Sequence, residues 1–313
     1  MPQGNFDGSK FVNKADGFNA PSQLPAASEV ADEWQRANKS WWERTPMRYD
    51  WREEIQAEEG SREYYEQLDQ RFLGAVRQYL PWNERPFEQF VPYARLREMD
   101  VLEIGVGQGT HAQLIAPMCK SFTGIDLTQK ASEATRRRLA LFDIPARIEQ
   151  MDAEHMTFAT ASFDFIWSWG VIHHSSNTQQ VLREMARVLR PGGEACVMVY
   201  FRSPLQYYLF NGLGRGLFKR EFWTVGNVHR INQAATDGAL ARFFSKEEFE
   251  KVAEDLFECR ELIVTGQKAD ALPLPHGAVK DSLLRHAPDG MTRFMTDTLR
   301  MGTFLVAKLR RLP

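Results

Sequence analysis

The 313-residue sequence predicts an α/β fold: a doubly wound, mostly parallel sheet of seven strands, with a helical N-terminal extension and a cap insertion late in the chain. Three observations lead there. Beyond Arg97, short β-type apolar runs alternate with helical segments of about ten residues or more, the rhythm of strands joined by crossover helices. The first run passes directly into a glycine loop that opens a helix, Val101-Leu102-Glu103-Ile104-Gly105-Val106-Gly107-Gln108-Gly109-Thr110. Acidic residues then end the second strand and follow the third, at Asp126 and Asp152.

Taken in order, residues 1–28 have a turn-forming composition without periodicity and read as a flexible arm to which no fold is assigned. Residues 29–97 form the helical extension. Its aromatic stretch, WWERTPMRYDW, is interrupted at Pro46, where a helix stops or kinks, and the helical pattern resumes near Ser61. Residues 98–201 hold the ligand-binding core, with strands expected at 100–104, 121–126, 147–151, 163–168 and 194–201, each apolar enough to be covered on both faces. Helices fall between them at 110–119, 129–142 and 178–189. The last carries Val181, Leu182, Met185, Val188 and Leu189 on one face and stops at Arg190-Pro191-Gly192-Gly193, read as a tight turn into the next strand. Residues 202–243 break the rhythm with aromatics among glycines and basic residues, and are read as a cap insertion that, together with the helical extension, covers the ligand pocket. Residues 244–313 resume the core, with Ser245 and Glu248 forming a capping box and strands at 259–265 and 302–308 separated by a second interruption that contains LPLPHG.

Composition narrows the function classes. Hydrophobic residues at 43% and charged residues at 26% support a large core and exclude wholesale disorder. A net charge of -2 gives no broad drive toward nucleic acid or acidic membrane, so neither is expected as a partner. Cys119, Cys196 and Cys259 lie apart in apolar runs, as suits a reducing compartment. The first thirty residues contain no apolar stretch resembling a signal peptide, so a cytoplasmic location is the default expectation. No H-E-x-x-H or similar spacing calls for a metal.

The glycine loop departs from the dinucleotide fingerprint G-x-G-x-x-G, because Thr110 stands where the third glycine belongs. Asp126, about twenty residues on, is placed to accept from ribose hydroxyls, and Asp152 from an exocyclic amine. Glu103, Asp126 and Asp152 thus surround one crevice with carboxylates. That suits a ligand carrying a cation, a ribose diol and adenine, whereas the phosphates of a dinucleotide would be repelled.

On these residues, the span from Val101 to Val199 resembles the class I S-adenosylmethionine-dependent methyltransferases, in their small-molecule, methyltransferase type 11-like branch. The resemblance rests on E-x-G-x-G-x-G at 103–109, Asp126, Asp152-Ala153, Phe163-Asp164 and LRPGG at 189–193. More weakly, NKSWWERTPMRYDW resembles the lead segment of bacterial methyltransferases of polysaccharide or secondary-metabolite pathways. The resemblance implies a Rossmann-like sheet with an antiparallel last strand, and S-adenosylmethionine as cofactor with S-adenosylhomocysteine as product. It places Glu103, Gly105, Gly107 and Gly109 along the amino-acid part of the cofactor and Asp126 with Leu127 at the ribose. Asp152 and Ala153 go to the adenine, Ser168 and Trp169 beside the sulfonium.

His173 and His174 follow the fourth strand, where this family puts acceptor-facing residues. Either could remove a hydroxyl proton, since imidazole titrates near neutrality, or simply hydrogen-bond loop backbone. Trp41, Trp42, Tyr49 and Trp51 carry two readings, an aromatic lid over the sulfonium or the packing of an amphipathic helix. Arg136-Arg137-Arg138 reads as a solvated helix face. The expected reaction is O-methylation of a sugar or secondary metabolite. N- or S-methylation, a catalytically silent binding module and, last, a nicotinamide oxidoreductase are the alternatives.

Overall fold

The computed structural model describes residues 15–49, 54–272, 274 and 277–313. Its centre is an eight-stranded sheet built from β1 (Asp100–Ile104), β2 (Ser121–Asp126), β3 (Arg147–Gln150), β4 (Phe163–Trp169), β5 (Leu189–Phe201), β6 (Phe243–Phe244), β7 (Phe257–Thr265) and β8 (Phe304–Arg311). The order is β3-β2-β1-β4-β5-β8-β7, with β6 pairing β5 off this path. Pairs among β1 to β6 are parallel, while β8 runs antiparallel to both β5 and β7. The chain therefore winds outward from β1 in one direction and from β4 in the other. The crevice at that switch point is where open α/β sheets hold ligands.

Period-two alternation sorts the strands' side chains onto two faces. Val101, Phe165, Trp167, Met198 and Val306 point to one core, which takes Phe72, Val76 and Tyr79 from α2 (Arg62–Tyr79) and Ala112 and Ile115 from α3 (Thr110–Ile115). Leu102, Ile166, Val197, Leu305 and Ala307 point to the other, filled by Val181, Leu182, Met185 and Val188 of α5 (Thr178–Val188). Both faces are covered, which is why each strand reads as continuously apolar. α4 (Gln129–Leu141) joins β2 to β3. α1 (Ser28–Arg44) ends just short of Pro46, and α2 begins where Ser61 accepts from the Tyr64 amide at 3.1 Å.

Two expectations are corrected. The sheet has eight strands rather than seven, because Phe243–Phe244 pairs with Tyr200 and Phe201; two residues are too few for a periodic signal. The segment 189–193 is a bulge inside β5 rather than a turn before it: Phe163 pairs with Leu189 and Phe165 with Glu194, and Gly192 takes up the slack at φ +75°. The insertion after β5 is helical, with a wide-turn helix at Pro204–Arg215 packed on a helix at Val228–Ala234 through Tyr207 Oη and His229 Nδ1, 3.1 Å apart. The interruption before β8 is helical too, at Lys268–Ala271 and Ala278–His286. Among the described residues no helix is long and apolar enough to cross a membrane.

Candidate functional site

A cavity of about 970 Å³ opens at the C-terminal ends of β1 to β4. Its wall brings together Gly105, Gly107, Asp126, Leu127, Asp152, Ala153, Trp169, His174, Trp42 and Tyr49 from the residues singled out by sequence. Gly109, Glu103, Ser168 and His173 lie behind that wall, and Trp51 falls outside the described residues.

The glycine loop is shaped by close approach. Gly105 has φ +81°, and a Cβ there would stand 2.2 Å from Val171 Cγ2, so only glycine fits between strand and loop. Gly107 has φ +52°, and a Cβ on it would meet nothing within 4 Å, leaving its backbone open. The Gly107 N–H donates to Asp126 Oδ2 at 3.1 Å, while Asp126 Oδ1 accepts from the Thr128 amide and hydroxyl at 2.9 and 2.8 Å. Burial raises the Asp126 carboxyl above its ordinary pKa, with these hydrogen bonds opposing the shift.

Beneath the loop, Glu103 is fully buried and its Oε2 has no hydrogen-bond partner. Burial first, then the Asp126 charge, pushes its carboxyl well above the usual range, with Arg138 opposing. Glu103 therefore sits under the floor of the cavity rather than lining it.

Arg138, expected on a solvated face, is instead wholly buried. It donates to Gln113 Oε1 at 2.7 Å, to the Gln108 carbonyl and Thr110 Oγ1 at 3.1 Å each, and to Asp69 of α2. Arg136 and Arg137 remain exposed, as expected. The signal was present in the helix period: Ala131, Thr135, Arg138 and Leu139 share the buried stripe of α4.

At the edge of the cavity beyond β3, Asp152 Oδ1 accepts from Gln35 Nε2 of α1 at 2.9 Å, and Gln35 Oε1 accepts from the Ser176 amide at 3.2 Å. One side chain of the N-terminal extension thus ties the loop after β3 to the loop after β4. Nothing in the sequence flagged Gln35, because one glutamine carries no pattern.

The loop after β4 separates its two histidines. His174 Nδ1 lies 2.7 Å from the Leu240 carbonyl; a carbonyl only accepts, so Nδ1 carries the hydrogen and Nε2 the lone pair. Its ring meets Trp42 edge-on at 5.1 Å. Gly238, at φ +85°, is held to glycine, since a Cβ there would lie 2.5 Å from His174 Nδ1. His173 is buried against Tyr200, centroids 3.9 Å apart, and neither of its ring nitrogens has a hydrogen-bond partner. Burial, His174 and Arg242 hold its pKa well below the ordinary value.

Buried Glu154 and Arg242 clamp this loop. Glu154 Oε1 accepts from the Ser175 and Ser176 hydroxyls at 2.6 and 2.8 Å, and Arg242 donates to the Ser175 and Ser176 carbonyls.

Farther along the wall stand Phe72, His111, Tyr79, Met198, Tyr200 and Phe304. His111 packs among Phe72, Phe87, Trp167 and Trp169, and burial, then Arg138, lowers its pKa to about 3. The two readings of the aromatic lead segment divide by residue: Trp41 is buried in packing, whereas Trp42 and Tyr49 face the cavity, Tyr49 against Phe72 at 4.7 Å. The cap insertion is corrected. Of residues 202–243 only Asp237 reaches the wall, and Gln267, Lys268, Leu284 and Arg285 from the next interruption cover that side.

Comparison with known proteins matches residues 102–197 to the family described as Methyltransferase domain. The 27-O-demethylrifamycin SV methyltransferase of Amycolatopsis mediterranei is 36% identical over 33% of this chain and 39% of its own length. The methyltransferase GfsG of Streptomyces halstedii is 35% identical over 31% and 36%. A ubiquinone/menaquinone biosynthesis C-methyltransferase of Geotalea daltonii is 32% identical over 41% and 56%. The match thus spans about two-fifths or less of the first two relatives. Among solved structures, the N-methyltransferase NodS of Bradyrhizobium japonicum, in complex with S-adenosyl-L-homocysteine, aligns with TM-score 0.42 and 16% identity over 74% of this chain and 91% of that one. Residues 102–197 are thus matched to a methyltransferase domain.

Proposed function

We propose that the chain transfers the methyl group of S-adenosylmethionine to an oxygen of a small molecule, a sugar or secondary metabolite, and releases S-adenosylhomocysteine. One observation carries this: Gly105 with Gly107, Asp126, and Asp152 with Ala153 share the wall of one cavity at the ends of three successive strands, inside the methyltransferase domain.

The residues fit that cofactor. The open face of Gly107 admits the amino-acid portion against backbone, and Asp126 Oδ2, which accepts only from the Gly107 amide, retains a lone pair for a ribose hydroxyl. Asp152, steadied by Gln35, takes the adenine amine beside Ala153 and Leu127. Bound there, the cofactor supplies an activated methyl on a good leaving group.

What remains for the protein is positioning, water exclusion and removal of one proton. His174 is suited to the last, with its Nε2 lone pair set by the Leu240 carbonyl, which also supports the imidazolium once protonated. Trp42, Tyr49 and Trp169 wall off solvent around the reacting atoms. Support for oxygen as the acceptor comes from this placement of His174 and from the relative named for a 27-O position.

Calorimetry with S-adenosylhomocysteine, followed by transfer of a labelled methyl to a panel of hydroxyl, amine and thiol acceptors, tests both halves. Saturable binding and label on a hydroxyl compound are expected. No heat with that ligand alongside saturation by NADH would overturn the cofactor, and label only on amines would overturn the oxygen.

A further inference from the structure

We infer that the tip of the insertion after β5 is a docking element for the surface of an anionic phospholipid bilayer. The tip consists of two short helices, Gly216–Phe218 and Glu221–Thr224, joined at Arg220, whose φ is +58°. It is firmly built. Arg215 pairs with both carboxylate oxygens of Glu221 at 2.8 to 3.1 Å, and Phe222 packs so tightly on Gly216 that a Cβ there would lie 2.3 Å from its ring.

On this rigid base the next aromatics turn outward: Phe218 is 91% exposed and Trp223 74% exposed, with Leu213 and Leu217 exposed beside them. Such a cluster costs solubility and serves no role in the cavity, whose wall takes no residue from 202–236. Nor is it needed for the core, since the insertion already packs through Tyr207 and His229.

The charges decide what it meets. Between 204 and 230 the sequence has four cations, Arg215, Lys219, Arg220 and Arg230, and one anion, Glu221, for a local excess of three. Arg215 is taken by Glu221, while Lys219, Arg220 and Arg230 are exposed. A second copy docking symmetrically would set this excess against itself, since such an interface is self-complementary. Phe and Trp side chains ringed by Lys and Arg suit a bilayer boundary instead, where aromatics enter the headgroup region and cations meet phosphates. The overall charge of -2 hides this local reversal.

Co-sedimentation of the full chain with phosphatidylcholine vesicles, with and without phosphatidylglycerol, tests the inference independently of the methyl-transfer reading. Binding to the anionic vesicles is expected, with F218D/W223D reducing it at least about tenfold and K219E/R220E weakening it on those vesicles, as additive apolar and electrostatic contributions require. All four positions are exposed, and unchanged thermal unfolding of the variants certifies their folds. Absence of binding to either vesicle, equal binding by F218D/W223D, or a wild-type dimer that those two substitutions convert to monomer would each overturn it.

Discussion

His173 and His174 are adjacent in the chain, yet one ring is sealed in aromatic packing and the other is oriented by a backbone carbonyl at the cavity wall. His174→Gln is therefore expected to lower kcat by about a hundredfold or more, the usual scale of general-base loss, while affinity for S-adenosylhomocysteine stays nearly unchanged. His173→Gln should act through stability instead, and steady-state kinetics with calorimetry on both variants separates the cases; an unchanged kcat in His174→Gln would remove it from the chemistry. Asp126→Ala should weaken S-adenosylhomocysteine binding by about 10- to 100-fold, corresponding to about 1.5–3 kcal/mol for hydrogen bonds to a charged acceptor, and equal affinity in calorimetry would contradict its role. Glu103 carries a pH prediction. Its folded pKa lies above its unfolded value, so the native state holds the proton longer, and stability falls as pH rises from the unfolded pKa toward the folded one. Glu103→Gln should flatten that decline, gaining on the wild type as pH rises above the unfolded carboxyl value in urea titrations; parallel pH profiles would show Glu103 ionised in the fold.

The glycine loop owes its shape to elements on either side of it. α4 reaches it through Arg138 and α2 through Asp69, so the N-terminal extension and the crossover helix are braced at one buried guanidinium. Arg138→Met should cost about 2–3 kcal/mol, below the 3–5 of a fully buried pair because Asp69 keeps some solvent, and should also weaken cofactor affinity by loosening Gln108 and Thr110. Urea unfolding and calorimetry check both; loss of stability without loss of affinity would confine Arg138 to structure. How much of this was legible depended on the kind of signal. β1 and β2 are found at their expected bounds, because runs buried on both faces between loop residues leave few registers. Asp126, Asp152 and the two cavity-facing glycines were legible because their spacing is fixed by the strand ends. Gln35, Glu154 and Arg242 were not, since each works through partners distant in sequence, and one polar residue has no period to betray it. The part that 267–285 plays in the wall was not legible either, because composition marks an interruption without saying which way it folds over the sheet.

Across the whole molecule, several histidines are stored uncharged. Burial holds His111 and His229 each at about 3 and His173 well below its ordinary value, while in the unfolded chain all three protonate near pH 6.5. The unfolded state thus binds more protons as pH falls below about 6.5, and stability is progressively lost toward pH 3. Thermal unfolding should show the midpoint dropping across that range, and His229→Phe should shallow the slope; an identical slope would show that ring already charged in the fold. The sheet order has a consequence for biosynthesis. β8 follows β7 in the chain, yet it sits between β5 and β7, and β7 has no other neighbour on the path. While the ribosome is still adding residues 304–311, the outer flank of β5 stands bare and β7 has nothing to join. The emergence of those residues from the exit tunnel therefore gates completion of the sheet, a window in which a chaperone would find an unpaired strand to hold.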